Sequence, residues 1–510
     1  MNIALIYTEE DPWAFGMRSI AATLKTRGHQ TIMIVMSSDE ERYTNEALNE
    51  MFFLVSQVGV IGVSCFSRGS EKAKQILNYL KPLGKFTIWG GVHATLNPEE
   101  CSKYANVVCR GEGEGFILDI LATLVNGGDF KKIQNAAFLL NGQTVINDLR
   151  PVIDNLDELP LFDFSFENEF HLKNGSIKKV TQFNDNTLPI LYNGSRGCAF
   201  HCNYCANAKL KDLYSGKGRF SRKVSVAKYI NNIISLREIF PNNKYFYLID
   251  EDFMARKTQD IKEFSENYRQ RVGIPFECMA SPLQVSEEKL KYLIEAGLWR
   301  IYVGVESGSD RTKSVVYNRN MPNESVMRAA IIINKFKRII PHYFFIIGNP
   351  YENENDLLET IDFITKLPQP FLSRMYNLIF LPGSILYEMA LRDEIISGKK
   401  DSAYEMNILG GFKSAGHAWK SKNFYLNALL YLMEGKATRH RLGLIPRFLI
   451  GYLINYKAIE LSNAYPSLIR SIVKLKLSAM KVKGHGILLI KRILKNPQLI
   501  HKIRVFAKSV

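Results

Sequence analysis

Two successive α/β modules followed by a basic helical region are what this sequence predicts, on three observations. In the first 125 residues, short apolar runs alternate with segments of helical spacing. From Leu188 a second alternation of the same kind repeats six times. After about residue 395 the strand-like runs fade, and Lys and Arg mix with apolar residues at helical spacing. Nearly continuous apolar strands alternating with helices indicate parallel sheets covered on both faces. The expected fold is a doubly wound parallel sheet over 1–140, a connector over 141–186, a partial six-stranded β/α barrel over 187–395 and an α-helical region over 396–510.

The elements follow in order. Strands are expected at Asn2–Tyr7, Thr31–Val35, Val58–Ser64, Phe86–Gly90 and Asn106–Cys109, with helices near 17–27, 70–82 and 115–125. Asn141-Gly142 between Ala136–Leu140 and Val145–Asn147 has the chemistry of a tight hairpin. The rest of the connector reads as irregular. Barrel strands are expected at 188–193, 244–250, 275–280, 300–306, 342–348 and 374–381. In both kinds of parallel sheet, function belongs at the carboxyl ends of the strands.

Composition narrows the class. Hydrophobic residues at 46% and charged residues at 23% suit a folded protein. Seven cysteines, an odd and sparse count, argue against a disulfide scaffold and for a reducing, cytoplasmic compartment. Met1–Tyr7 reads as a strand, so no signal peptide is expected there. The net charge of +16 is uneven: residues 401–510 hold 19 Lys or Arg against 4 Asp or Glu, which leaves the preceding 400 nearly neutral. No stretch of 18 apolar residues marks a membrane span.

The sharpest feature is Gly197-Cys198-Ala199-Phe200-His201-Cys202-Asn203-Tyr204-Cys205, in the loop after the apolar strand at 188–193. Three thiolates in one short loop can bind three irons of a cubane, leaving the fourth iron open to a substrate. A structural zinc site would want four closed ligands. His201 is badly placed to be the fourth, and no second cysteine pair follows, since Cys278 stands alone.

This loop resembles that of the radical SAM superfamily. The resemblance implies a 4Fe–4S cluster on Cys198, Cys202 and Cys205, with S-adenosylmethionine on the fourth iron. One-electron cleavage would then give a 5′-deoxyadenosyl radical. It extends along the barrel: Asp250, in the acidic tip Asp250-Glu251-Asp252, matches a group near the SAM amino end. Glu306 in Gly304-Val305-Glu306-Ser307-Gly308 matches a ribose contact. Gly348, before Asn349-Pro350-Tyr351-Glu352, marks the backbone approach to adenine, and Leu381-Pro382-Gly383-Ser384 follows the sixth strand. Tyr204 would pack near the adenine.

The first module carries Trp89-Gly90-Gly91-Val92-His93-Ala94-Thr95 at one strand-to-helix turn and Cys109-Arg110-Gly111-Glu112-Gly113-Glu114 after the next strand, with Ser64 closing the strand before them. Paired glycines at such turns let a large ligand touch backbone. Ahead of this barrel the module resembles the cobalamin-binding domain of the cobalamin-dependent radical SAM family. That makes Ser64, Gly90, Gly91, His93, Thr95, Gly111, Glu112 and Gly113 cofactor-binding candidates. The Asp-x-His-x-x-Gly pattern that supplies a lower histidine ligand is absent. A methylthiotransferase would hold a second cluster on three N-terminal cysteines, but Cys65, Cys101 and Cys109 lack that family's surroundings and read as small buried residues.

The resemblance implies a methyltransferase acting on an unactivated carbon, with a cyclase or rearrangement enzyme using the same cofactors as the alternative. A cluster- or zinc-stabilised nucleic-acid-binding protein is a distant third. Expected partners are a small-molecule or lipid-like substrate and a reductant protein such as flavodoxin or ferredoxin. The basic region suits a solvated helical face or contact with an acidic membrane surface better than nucleic acid.

Overall fold

A computed structural model describes residues 1–9, 11–38, 40–182, 186–397, 423–455 and 458–460. Most of the basic region expected over 396–510 lies outside the described residues. The chain forms two units. The first holds Met1–Phe253, Lys262–Phe276 and, among the described residues, 380–397. The second holds Met254–Ile261, Glu277–Ile379 and the described residues from 423 onward.

The first unit opens with β1 (Asn2–Tyr7), α1 (Phe15–Thr26), β2 (Gln30–Val35), α2 (Asn45–Val55), β3 (Val60–Ser64), α3 (Ser70–Leu80) and β4 (Phe86–Gly90). The short helices α4 (Val92–Leu96) and α5 (Pro98–Cys101), β5 (Val107–Cys109) and α6 (Glu114–Val125) follow. Two hairpins complete it, β6 (Ala136–Leu140) with β7 (Gln143–Ile146), and β8 (Glu169–Lys173) with β9 (Ser176–Lys179). The nine strands form one sheet in the order β7-β6-β5-β4-β3-β1-β2-β8-β9. The strands from β5 to β8 run parallel, and the order reverses at β1, between β3 and β2. That reversal is the switch point where open α/β sheets bind ligands. Apolar side chains cover both faces, Leu48, Met51 and Leu77 on one and Met17, Leu24 and Ile120 on the other.

The expected connector is more ordered than its composition suggests. Its second half is β8–β9, docked parallel on β2. The helix α2 also goes beyond expectation; Thr44 caps it by accepting the Ala47 N–H.

The barrel strands β10 (Ile190–Tyr192) and β13 (Phe246–Leu248) belong to the first unit and pair in parallel. Between them come the two-residue strands β11 (Ser195–Arg196) and β12 (Arg222–Lys223), which pair antiparallel, and the helices α7 (Ala206–Leu213) and α8 (Val226–Ile239). Then follow α9 (Thr258–Arg271), β14 (Phe276–Ala280), α10 (Glu287–Ala296), β15 (Leu298–Glu306), α11 (Asn323–Asn334), β16 (His342–Ile347), α12 (Glu354–Lys366) and β17 (Phe371–Asn377). All six expected strands are therefore present. In the second unit β15, β16 and β17 pair in parallel, and Gly435–Ala437 adds antiparallel to β17.

Candidate functional site

The cysteine loop is an excursion. The chain leaves at Arg196, carries Cys198, Cys202, Cys205 and α7, and returns at Arg222, its cross-strand partner. Cys205 stands at the N-terminal cap of α7. Burial, with Glu251 and the other two cysteines adding to it, pushes the Cys205 thiol up to about 12. Burial likewise raises Cys198, and Glu251, Cys202 and Asp252 add to it. The three thiols thus feel one another. Among the described residues no three His, Cys, Asp or Glu side chains converge on a single ion. A cubane asks for a different arrangement, each thiolate on its own iron, and the donor set fits it.

The acidic tip divides its labour. Asp250 is fully buried and accepts a 2.6 Å hydrogen bond from the Tyr229 hydroxyl. Its neighbour Glu251 reaches solvent and is the carboxylate that both Cys198 and Cys205 feel. Packing around Glu251 raises its own carboxyl, while Asn207 pulls it down. Glu251 is the residue that sequence reasoning passed over. Tyr204 is half-buried within the cysteine loop.

In the second unit, Glu306 ends β15 with φ 71°, a left-handed conformation rare outside glycine. Its carboxylate folds back toward Gly304 and lies 3.7 Å from Arg319. Strain of this kind gathers at functional sites. Gly348 donates its N–H at 2.7 Å to Asn427, a buried residue without a sequence signal. The turns after β15 and β16 are tied together: Ser307 donates to Glu352 at 3.1 Å, and Ser309 to Asp356 at 2.7 Å.

Above the carboxyl ends of β1, β3, β4 and β5 lies an open cavity of about 360 Å³. Ser64, Gly90, Gly91, Thr95, Gly111, Glu112 and Gly113 all line it. Leu5, Ile88, Phe116 and Phe162 make its apolar walls, and Leu159 to Phe162 of the connector form one side. Where Gly91 turns with φ 91°, a β-carbon would meet the Ser64 hydroxyl at 2.6 Å. A broad floor of bare backbone with apolar walls fits a large flat cofactor edged with amides. His93 is corrected: it lies away from this cavity, fully buried, bonded to Ser67 at 3.1 Å and beside the Trp89 ring. Cys65, Cys101 and Cys109 are buried, as read from the sequence.

The family model described as "B12 binding domain" matches residues 1–121, and that of the Radical SAM superfamily matches 192–364. The chain thus carries a B12-binding domain followed by a radical SAM domain. An uncharacterized methyltransferase of Pyrococcus horikoshii is 24% identical over 66% of this chain and 70% of its own length. An anaerobic magnesium-protoporphyrin IX monomethyl ester cyclase of Rubrivivax gelatinosus is 23% identical over 70% of this chain and 62% of its own. The solved structure of the cobalamin-dependent S-adenosylmethionine radical enzyme OxsB, with aqua-cobalamin and S-adenosylmethionine bound, superposes with a TM-score of 0.61. It is 17% identical and covers 94% of this chain and 72% of OxsB.

Within this radical SAM enzyme the Gly111–Glu114 turn plays a part its composition hides. Glu112 and Glu114 do not reach for a ligand. Glu112 bonds Arg196 at 3.2 Å and Arg222 at 2.8 Å, and accepts the Ile153 N–H at 2.7 Å. Glu114 pairs with Arg196 and accepts from the Ser19 hydroxyl at 2.6 Å. Burial pushes the Glu114 carboxyl up, but Arg196, the Ser19 hydroxyl and a backbone N–H together outweigh it and hold the group below its ordinary value. Glu112 lines the cavity, and its carboxylate joins the B12-binding domain to the cysteine excursion. Thr95 is likewise a staple, donating to Gly91 O at 2.8 Å and accepting the Gly111 N–H at 2.9 Å.

Proposed function

We propose that this chain is a cobalamin-dependent methyltransferase that uses radical SAM chemistry on an unactivated carbon of a small-molecule or lipid-like substrate. The observation that carries the reading is the backbone-floored cavity at the sheet's switch point, walled on one side by the excursion that holds the three cysteines. The similarity to a methyltransferase of Pyrococcus horikoshii supports it. Residues 1–140 would hold cobalamin, 187–395 the cluster and SAM, 141–186 would join them, and 396–510 would form the basic region.

When bound, the cluster with SAM supplies the radical that takes hydrogen from substrate, and cobalamin supplies the methyl group. The chain's own residues do the rest. Cys198, Cys202 and Cys205 hold iron. Glu251, exposed beside them, accepts hydrogen bonds from the SAM ammonium group. Glu306 would accept from the SAM ribose hydroxyls, the backbone at Gly348 would border an adenine, and Tyr204 would offer an aromatic ring within the cysteine loop. Ser64, Gly90, Gly91, Gly111 and Gly113 form the floor under the corrin. Leu159 to Phe162 would cover one side of the bound cofactor.

The test is anaerobic. Protein reconstituted with iron, sulfide and hydroxocobalamin is reduced with flavodoxin or ferredoxin and given SAM labelled in its methyl group. Label in the corrinoid fraction, with S-adenosylhomocysteine released, supports the methyltransferase. Release of 5′-deoxyadenosine with no label in the corrinoid fraction favours the cyclase or rearrangement reading, which the similarity to the Rubrivivax gelatinosus cyclase supports.

The basic region is assigned to an acidic membrane surface from the cytoplasmic side. Among the described residues no helix is long and apolar enough to cross a membrane. The helix Arg447–Leu453 leaves Phe448 73% and Tyr452 64% exposed, an apolar surface beside basic sequence that suits an interface. Flotation with phosphatidylglycerol vesicles should depend on 401–510, and unchanged partitioning after that deletion would sink the assignment.

A further inference from the structure

The excursion that carries all three cysteines has a neck, and the neck is held from outside. Its two ends, Arg196 and Arg222, face each other across the β11–β12 pair. Both guanidinium groups reach the same carboxylate, Glu112, at 3.2 and 2.8 Å. Arg196 also grips Glu114 and the Ser19 hydroxyl on α1. Further along the excursion, the Tyr214 oxygen accepts the Glu112 N–H at 2.9 Å. Three of these side chains are well buried, Arg222 at 5% exposed, Glu114 at 7% and Glu112 at 16%, while Arg196 is 25% exposed. Every group in this clamp also lines the large cavity: Ser19, Glu112, Glu114, Arg196, Tyr214 and Arg222. The next residues after Arg196 are Gly197, another wall residue, and Cys198.

From this juxtaposition we propose that Glu112 and Glu114 are positioning residues that couple occupancy of the cobalamin cavity to the geometry of the cysteine loop. Removing one partner of a buried ion pair is costly, so the turn and the neck move as one body. A cofactor seated on the Gly111–Gly113 backbone fixes the turn, the turn fixes both arginines, and the arginines fix the two ends of the loop that holds iron. Coupling of this kind is reciprocal: if cobalamin orders the loop for the cluster, the cluster raises the affinity for cobalamin by the same factor. The inference rests on the cofactor assignments proposed above.

The experiment measures the Kd of hydroxocobalamin, by absorbance, on the full chain with its cluster reconstituted and on the cluster-free chain. The wild type should bind at least about fivefold more tightly with the cluster present. Glu112→Gln and the charge-keeping Arg222→Lys should each bring that ratio toward one. Thermal midpoints measured in parallel separate a merely stabilising role, which would lower the midpoint and leave the ratio unchanged. Backbone hydrogen exchange of 194–224 in cluster-free protein should slow on adding hydroxocobalamin in the wild type and not in either variant. A wild-type ratio of one, or a ratio that survives both substitutions, overturns the coupling. Failure of the wild type to retain cobalamin or cluster at all would overturn the cofactor assignments as well, a distinct result.

Discussion

Tyr214 occupies the space that a β-carbon on Gly111 would need: the phenol oxygen and the ring edge both stand within contact of that position. Gly111 has φ 80°, and the next N–H, that of Glu112, donates to the same phenol oxygen at 2.9 Å. A single turn of the B12-binding domain is thus shaped by a tyrosine from the cysteine excursion. The glycine is required twice over, by its dihedral and by this close approach.

Gly111→Ala should therefore destabilise the chain by on the order of 2–3 kcal/mol, the sum of left-handed strain and crowding. Tyr214→Phe, which removes only the acceptor of the Glu112 N–H, should cost about 1 kcal/mol. Gly111→Ala in a Tyr214→Ala background should cost clearly less than in the wild type, because the obstruction is gone. Thermal midpoints and hydroxocobalamin uptake check this; strict additivity would show that the two residues do not collide.

Cys198, Cys202 and Cys205 should behave differently from the other four cysteines. Alanine at any of the three should remove most of the iron and the visible absorption of reconstituted protein. Alanine at Cys65, Cys101 or Cys278 should lower the thermal midpoint without lowering iron per chain, because those thiols are packed in the interior. Iron loss on any of these three substitutions, at an unchanged midpoint, would contradict the assignment.

Much of this was legible in the sequence, and the exceptions have physical causes. Apolar runs announced β1 to β5 and the six barrel strands because a parallel sheet buries both faces. The strand β8 hid because two of its buried residues are polar: Glu169 is paired with Arg18 at 2.7 Å and His171 with Glu169 at 2.6 Å. A buried ion pair looks like a loop until its partner, 151 residues away, is known. The helix α2 was not expected: it buries Leu48, Met51 and Val55 at helical spacing, but its polar start obscured that pattern. At the acidic tip, successive residues point in different directions, so composition could not separate Asp250 from Glu251. The Gly111–Glu114 turn was noticed for its glycines, yet its carboxylates depend on arginines 82 and 110 positions further on.

The separation of Asp250 from Glu251 has a direct consequence. Tyr229→Phe removes the donor of one buried hydrogen bond and Asp250→Asn exchanges its carboxylate acceptor for a weaker, neutral one, so each should lower the thermal midpoint and the pair should be less than additive. Glu251→Gln should leave the midpoint nearly unchanged and weaken SAM binding to the reconstituted enzyme by about tenfold, a charge-assisted hydrogen bond being worth about 1.5–3 kcal/mol. Equilibrium dialysis of labelled SAM decides the matter. Unaltered binding in Glu251→Gln with loss confined to Asp250→Asn would return the role to Asp250.

Glu352 gives the last expectation, a pH dependence with a definite sign. Burial pushes its carboxyl up to about 8, with the Ser307 hydroxyl pulling down and Asp356 pushing up. At neutral pH the folded chain therefore keeps a proton that the unfolded chain, titrating near 4.5, has released. Where the folded state binds more protons, stability falls as pH rises. The loss begins above about pH 4.5, grows until the folded carboxyl itself ionises near pH 8, and is then complete. Glu352→Gln has no such proton to lose. Denaturation midpoints of the two proteins should be closest near pH 5 and diverge upward in favour of the variant. The divergence should reach on the order of 4 kcal/mol by pH 8.5. Other titrating groups are common to both proteins and cancel in the difference. A gap that stays constant from pH 5 to pH 8.5 would mean that Glu352 is ionised in the fold, and that the tie from Ser307 is a bond to a carboxylate.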